Sequence, residues 1–105
     1  MNHKYMPLVY ICSPYSGNEE ENMERARRYS REALDKGYIP VTPHIYLPQF
    51  MTEEERELAL YIDIVLLSKC SQLWVYGDIT EGMAKEITWA ENHNMPVRIM
   101  KGEKE

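Results

Sequence analysis

Gln72-Leu-Trp-Val-Tyr-Gly-Asp-Ile-Thr-Glu-Gly-Met-Ala-Lys-Glu-Ile-Thr-Trp-Ala90 is the stretch on which the fold turns. Gln72-Leu-Trp-Val-Tyr76 is a short apolar run that reads as a strand, Gly77 to Thr80 reads as a loop, and the spacing predicts a helix from Glu81 to about Asn92. Met83, Glu86, Ile87 and Ala90 share one face of that helix by the i, i+3, i+4, i+7 rule, so a carboxylate stands where an apolar residue is expected. An ionised acid on a buried face is costly unless it is paired, neutralised or facing a cavity.

Strands and helices alternate in the same way ahead of this stretch, and one more strand follows it. Pro7-Leu-Val-Tyr-Ile-Cys12 reads as a buried strand ended by the loop Ser13-Pro-Tyr-Ser-Gly17. Asn18 can cap the next helix, whose first turn holds Glu19, Glu20 and Glu21, where the helix dipole favours negative charge. Met23, Ala26, Tyr29, Ala33 and Leu34 supply its inner stripe, and Gly37 signals its end. Tyr38-Ile-Pro-Val-Thr42 reads as a second strand, with Pro40 pointing to an edge or a strand start. Pro43-His-Ile-Tyr-Leu-Pro-Gln-Phe50 reads as a loop, and Thr52-Glu-Glu-Glu55 as a capping box opening a helix to about Cys70. Asp63 interrupts that helix, among Ala59, Leu60, Leu66 and Leu67. Pro96-Val-Arg-Ile-Met100 reads as a last strand and residues 101–105 as a solvated tail. The alternation β-α-β-α-β-α-β calls for an α/β fold, a parallel sheet of about four strands with helices on both faces, in one domain over residues 1–105. The loops after the first three strands are then expected to share a rim, where such sheets bind ligands.

With 12 Lys+Arg against 17 Asp+Glu, the net charge of −5 argues against a nucleic-acid polymer as partner. No run approaches the roughly 18 apolar residues of a membrane span, and the start lacks a signal-peptide pattern. Cys12 and Cys70 lack CxxC spacing and read as reduced thiols in a cytoplasmic core. His3, His44 and His93 form no ligand motif, so no metal and no cofactor is expected.

On the expected rim, the loop Ser13-Pro-Tyr-Ser-Gly17 offers two hydroxyls, the Tyr15 phenol and backbone amides, suited to a sugar hydroxyl or a monophosphate, or else it is a plain turn and cap. It is neither a Walker loop nor a dinucleotide fingerprint. Thr80 reads as an N-cap, a ligand donor or both, and Asp78 as a turn residue or a substrate contact. Gly82 would let backbone approach a ligand, and Met83 packs or borders a base pocket. His44 is a satisfied loop histidine or a ligand contact, and a buried Tyr10 hydroxyl needs a partner, for which Glu86 is the candidate.

An oriented, partly desolvated carboxylate can attack an electrophilic carbon while a second, kept protonated by burial, donates to the leaving group. That division of labour cleaves glycosidic bonds. Val9-Tyr-Ile-Cys-Ser-Pro-Tyr-Ser-Gly17, the Asp63 helix leading into Leu73-Trp-Val-Tyr76, and Glu81-Gly-Met-Ala-Lys-Glu86 together resemble the nucleoside 2-deoxyribosyltransferase superfamily, most closely its short members, across nearly the whole chain. The resemblance implies a Rossmann-like or flavodoxin-like three-layer fold, Glu86 as nucleophile, Asp63 in proton transfer or base recognition, and Tyr10 orienting the nucleophile. It also implies a homo-oligomer, a dimer or larger, acting on a nucleoside or nucleotide. The chain is similar too to the deoxynucleoside 5′-monophosphate N-glycosidases of that superfamily. The loop from Cys12 to Gly17 matches their phosphate loop, Thr80 their phosphate hydroxyl, and Val41-Thr-Pro-His44 has a counterpart there. The expected activity is cleavage of an N-glycosidic bond with transfer to a base or to water, with Ser13, Ser16, Gly17 and Thr80 at the 5′ end. A non-catalytic nucleotide-binding or sensor module, or a structural oligomerising domain, stands as the alternative.

Overall fold

Strand β1 (Leu8–Cys12) lies inside the sheet, between β2 (Ile39–Val41) and β3 (Gln72–Val75), and β4 (Val97–Ile99) completes the order β2-β1-β3-β4. The computed structural model describes residues 4–100. Every pairing is parallel, with Tyr10 opposite Val41 on one side and Leu73 on the other. The sheet is the expected one, an α/β arrangement of the Rossmann or flavodoxin kind. Pro40 sits on β2, an edge strand paired among the described residues with β1 alone, so its missing N–H leaves no interior ladder bond unmade. Chain direction across the sheet reverses between β1 and β3, which puts the ligand-binding crevice beyond their carboxyl ends.

Alternation along the strands sorts the core into two layers. Val9, Ile11, Trp74 and Tyr76 pack with Tyr29 and Ala33 of α1 (Glu19–Asp35). Tyr10, Cys12, Leu73 and Val75 face the other way, against Leu67 of α3 (Arg56–Ser68) and Met83 and Ala90 of α4 (Glu81–Asn92). Tyr29 stacks on Tyr76 with ring centroids 3.9 Å apart, and the Tyr76 hydroxyl donates to Glu32 at 2.5 Å. Burying these aromatic faces does much to hold α1 against the sheet.

Local chemistry explains the element ends. Asn18 accepts the Glu21 N–H at 3.3 Å and so caps α1. At the other end Gly37 takes φ +89°, and the N–H groups of Gly37 and Tyr38 return to the carbonyls of Leu34 and Ala33 at 3.0 Å each. That is a Schellman closure, which favours glycine at its left-handed position. The stripe of α1 needs one correction: Leu34 is 42% exposed, because it is rotated by roughly 80° from Ala26 and roughly 100° from Ala33. Residues 43–50 are also not a bare loop. Pro43 opens a short helix, α2 (Pro43–Tyr46), and Pro48 falls in the 3-10 turn Leu47–Gln49. A proline in a first helical turn starts structure rather than breaking it. Ahead of α3, Glu53–Glu55 form a 3-10 turn in which the Glu55 carboxylate accepts the Thr52 N–H at 3.0 Å. The tail expected at residues 101–105, and His3, lie outside the described residues. Among the described residues no helix is long and apolar enough to cross a membrane.

Candidate active site

Glu86 sits one and a half turns into α4, only 3% exposed, on the face it shares with Met83 and Ala90. The helix is started by Thr80, whose Oγ1 accepts the Met83 N–H at 3.3 Å. Across from it, Tyr10 Oη donates to Glu86 Oε2 at 2.7 Å, and Cys12 Sγ donates to Glu86 Oε1 at 3.3 Å. These donors are two residues apart on β1, so the strand period aims both at one helix. Asp63 arrives from α3, one turn before Leu67 on the same buried face, close enough to Glu86 for each carboxyl to shift the ionisation of the other.

Electrostatics divide the two acids. Burial above all, then the charge of Glu86 and the hydrogen bond to it, pushes the Asp63 carboxyl up to about 8. Burial also raises Glu86, but hydrogen bonds from Tyr10, Cys12 and Asp63 work against that by favouring its charged form. The proton that the pair shares therefore rests on Asp63 in preference to Glu86. Burial and the nearby acids hold the Tyr10 phenol well above its ordinary value, so it stays a donor.

The folded state thus keeps a proton on Asp63 between roughly pH 4 and 8 that the unfolded chain releases, and stability falls as pH rises through that window. Asp63→Asn removes this dependence while retaining a donor for Glu86. Its melting temperature is expected to exceed that of wild type at pH 8, the gap closing toward pH 4. Thermal unfolding across that range measures it.

Above the acids opens a cavity of about 570 Å³, within the roughly 300–1,000 Å³ of small-molecule sites. Residues that follow each of the first three strands line it: Ser13, Tyr15 and Ser16, then His44, then Thr80 and Gly82. An added Cβ at Gly82 would meet nothing within 4 Å, so this helix start is open to a ligand. Three buried polar atoms have no hydrogen-bond partner among the described residues: Ser13 Oγ, His44 Nδ1 and Asp63 Oδ1. All three belong to residues lining this one cavity. Orphaned polar groups are costly, and their convergence marks where a ligand's hydrogen bonds belong. Burial pulls His44 down to about 4, so the ring is neutral, and it lies 5.3 Å from the Tyr15 ring.

Of the residues singled out in the sequence, Glu86, Asp63, Tyr10, Ser13, Tyr15, Ser16, His44, Thr80, Gly82 and Met83 come together here, Tyr10 as the support behind Glu86. Gly17 and Asp78 do not. Gly17 turns the chain at φ +103° and is exposed, and Asp78 is exposed in the bend after Gly77. Both serve the loops that carry lining residues rather than the lining itself. The sequence reading missed Cys12 as a partner of Glu86, although its two-residue offset from Tyr10 carries that signal. It also missed Arg56, two turns ahead of Asp63, and the apolar lip of Leu47, Met51 and Leu60.

The fold is also that of a solved 2-deoxyribosyltransferase from the psychrotolerant bacterium Bacillus psychrosaccharolyticus, with a TM-score of 0.70 at 20% sequence identity, covering 93% of this chain and 74% of that one. At that identity the likeness is one of fold. No curated protein matches the sequence. Residues 7–100 match the family described as Domain of unknown function (DUF7768), and the chain belongs to that family.

Proposed function

We propose that this protein cleaves the N-glycosidic bond of a 2-deoxyribonucleoside or its 5′-monophosphate by double displacement, with transfer to a second base or to water. The observation that carries the reading is a buried carboxylate held by Tyr10 and paired with a protonated acid beneath an open cavity. Glu86 attacks C1′ and forms a deoxyribosyl ester as the C1′–N bond breaks, its electron pair staying on the base nitrogen. Asp63 hands its proton to the departing base. In the second half, a base nitrogen or water attacks C1′, Glu86 leaves as carboxylate, and the incoming group's proton returns to Asp63. The mutual influence of the two neighbouring carboxyls agrees with this retaining course, since inverting pairs stand roughly 6.5–9.5 Å apart to admit water. Ser13, Ser16, Thr80 and His44 are assigned to the sugar hydroxyls, and Met83 to the edge of the base pocket. The fold shared with a 2-deoxyribosyltransferase agrees with this chemistry. Assembly of copies belongs to the same proposal, supported by the exposed ridge of Leu58, Tyr61 and Val65 on α3.

The free nucleoside is the better substrate of the two. Residues 13–17 contain no Lys or Arg, and His44 is neutral. Of the cations lining the cavity, Lys85 lies 3.8 Å from Glu81, and Arg56 shares the lining with Glu53. Glu19 and Glu53 also raise the Tyr15 phenol after burial has done so, a sign of negative potential at the mouth. A panel of deoxynucleosides and their 5′-monophosphates, with and without a second base, tests the assignment by chromatography. The expected result is release or exchange of base, with kcat/KM at least about tenfold higher for the nucleosides, a difference of roughly 1.4 kcal/mol. Thermal stabilisation by these ligands without any release of base would instead favour a binding module.

A further inference from the structure

Tyr10 and Cys12 each take one oxygen of the same carboxylate, and the two donors are unequal. The phenol approaches Oε2 at 2.7 Å, an ordinary O–H···O⁻ distance, whereas the thiol approaches Oε1 at 3.3 Å. A thiol is a weak donor, so Oε1 keeps more of its charge and an easily vacated lone pair. We infer that Cys12 is a positioning residue whose thiol presents Oε1 of Glu86 as the attacking oxygen, leaving Oε2 on Tyr10 to become the carbonyl oxygen of the ester. The inference rests on the assignment of Glu86 as nucleophile.

Geometry and burial favour this use of a cysteine. Cys12 is fully buried between Val75 on β3 and the helix layer, out of reach of solvent oxidants. Glu86 is itself almost wholly buried, so each of its oxygens needs a donor. A hydroxyl at position 12 would satisfy Oε1 more strongly and blunt its attack, and a methyl group would take that donor away. The thiol lies between these extremes. It does not become a rival nucleophile, because burial and the adjacent Glu86 charge push its ionisation far above neutral pH. In the chemical step Oε1–C1′ forms and C1′–N breaks, with the electron pair leaving on the base. The S–H···O contact loosens, and sulfur neither loses its proton nor changes oxidation state.

The test uses Cys12→Ser and Cys12→Ala in the full chain, with kcat followed across the acid limb that reports ionisation of Glu86. Cys12→Ser is expected to move that limb down by about half to one pH unit while lowering kcat, and Cys12→Ala to move it up by a similar amount. A residue that merely fills space would give lower melting temperatures with no opposed shifts. Limbs moving together, or not at all, would overturn the inference. Infrared titration of the Glu86 carboxyl in the same proteins reads the contact without turnover. If wild type cleaves no nucleoside, the functional reading fails, yet opposed shifts in the infrared titration still uphold the Cys12 contact, and their absence rejects it.

Discussion

Glu86→Gln is expected to lower deoxynucleoside cleavage by about three to six orders of magnitude while the protein stays folded, the range seen when a covalent nucleophile is removed. The amide is nearly isosteric with the carboxylate and still accepts from Tyr10 through its oxygen. What it loses is the negative charge that attacks C1′. Removing a buried charge also relieves a desolvation cost, so the variant should melt at or above the wild-type temperature near neutral pH. Rates and melting curves of one preparation check both halves. Near-wild-type turnover would rule out Glu86 as nucleophile.

The second large effect concerns Asp63. Asp63→Asn keeps a donor beside Glu86 but has no proton to give, so cleavage of ordinary nucleosides should fall by about 10²–10⁴-fold. A nucleoside whose base leaves readily as an anion needs no acid and should lose far less. The pH profile changes in step. Wild-type rate declines above about pH 8 as Asp63 ionises, and this basic limb disappears in the variant. The same substitution is the one expected to raise stability at pH 8. Gained stability with lost turnover is the signature of an acid kept buried for its chemistry.

Much of this was readable from residue order. Helix α4 begins and ends where Thr80 and the apolar spacing place it, and Glu86 is buried on the face it shares with Met83 and Ala90. Gly37 closes α1, and Pro40 marks the edge strand, because each answers to a local backbone requirement. Residues 43–50 were harder, since the same proline that ends a helix from within can start one at its first position. The role of Cys12 depends on a contact 74 residues away along the chain. The two-residue offset from Tyr10 puts the thiol on the right face of β1, but only the packing of α4 turns it from a space-filler into a donor. The exposure of Gly17 and Asp78 is likewise a matter of how the chain turns at these two residues within loops that otherwise line the cavity, which composition alone does not encode.

Rapid quenching of the enzyme with a deoxynucleoside, followed by peptide mass spectrometry, tests the covalent step most directly. A deoxyribosyl unit on the peptide that contains Glu86, formed and lost at rates that match turnover, is the predicted result. Base release with no such adduct, or an adduct on a different side chain, would contradict the account.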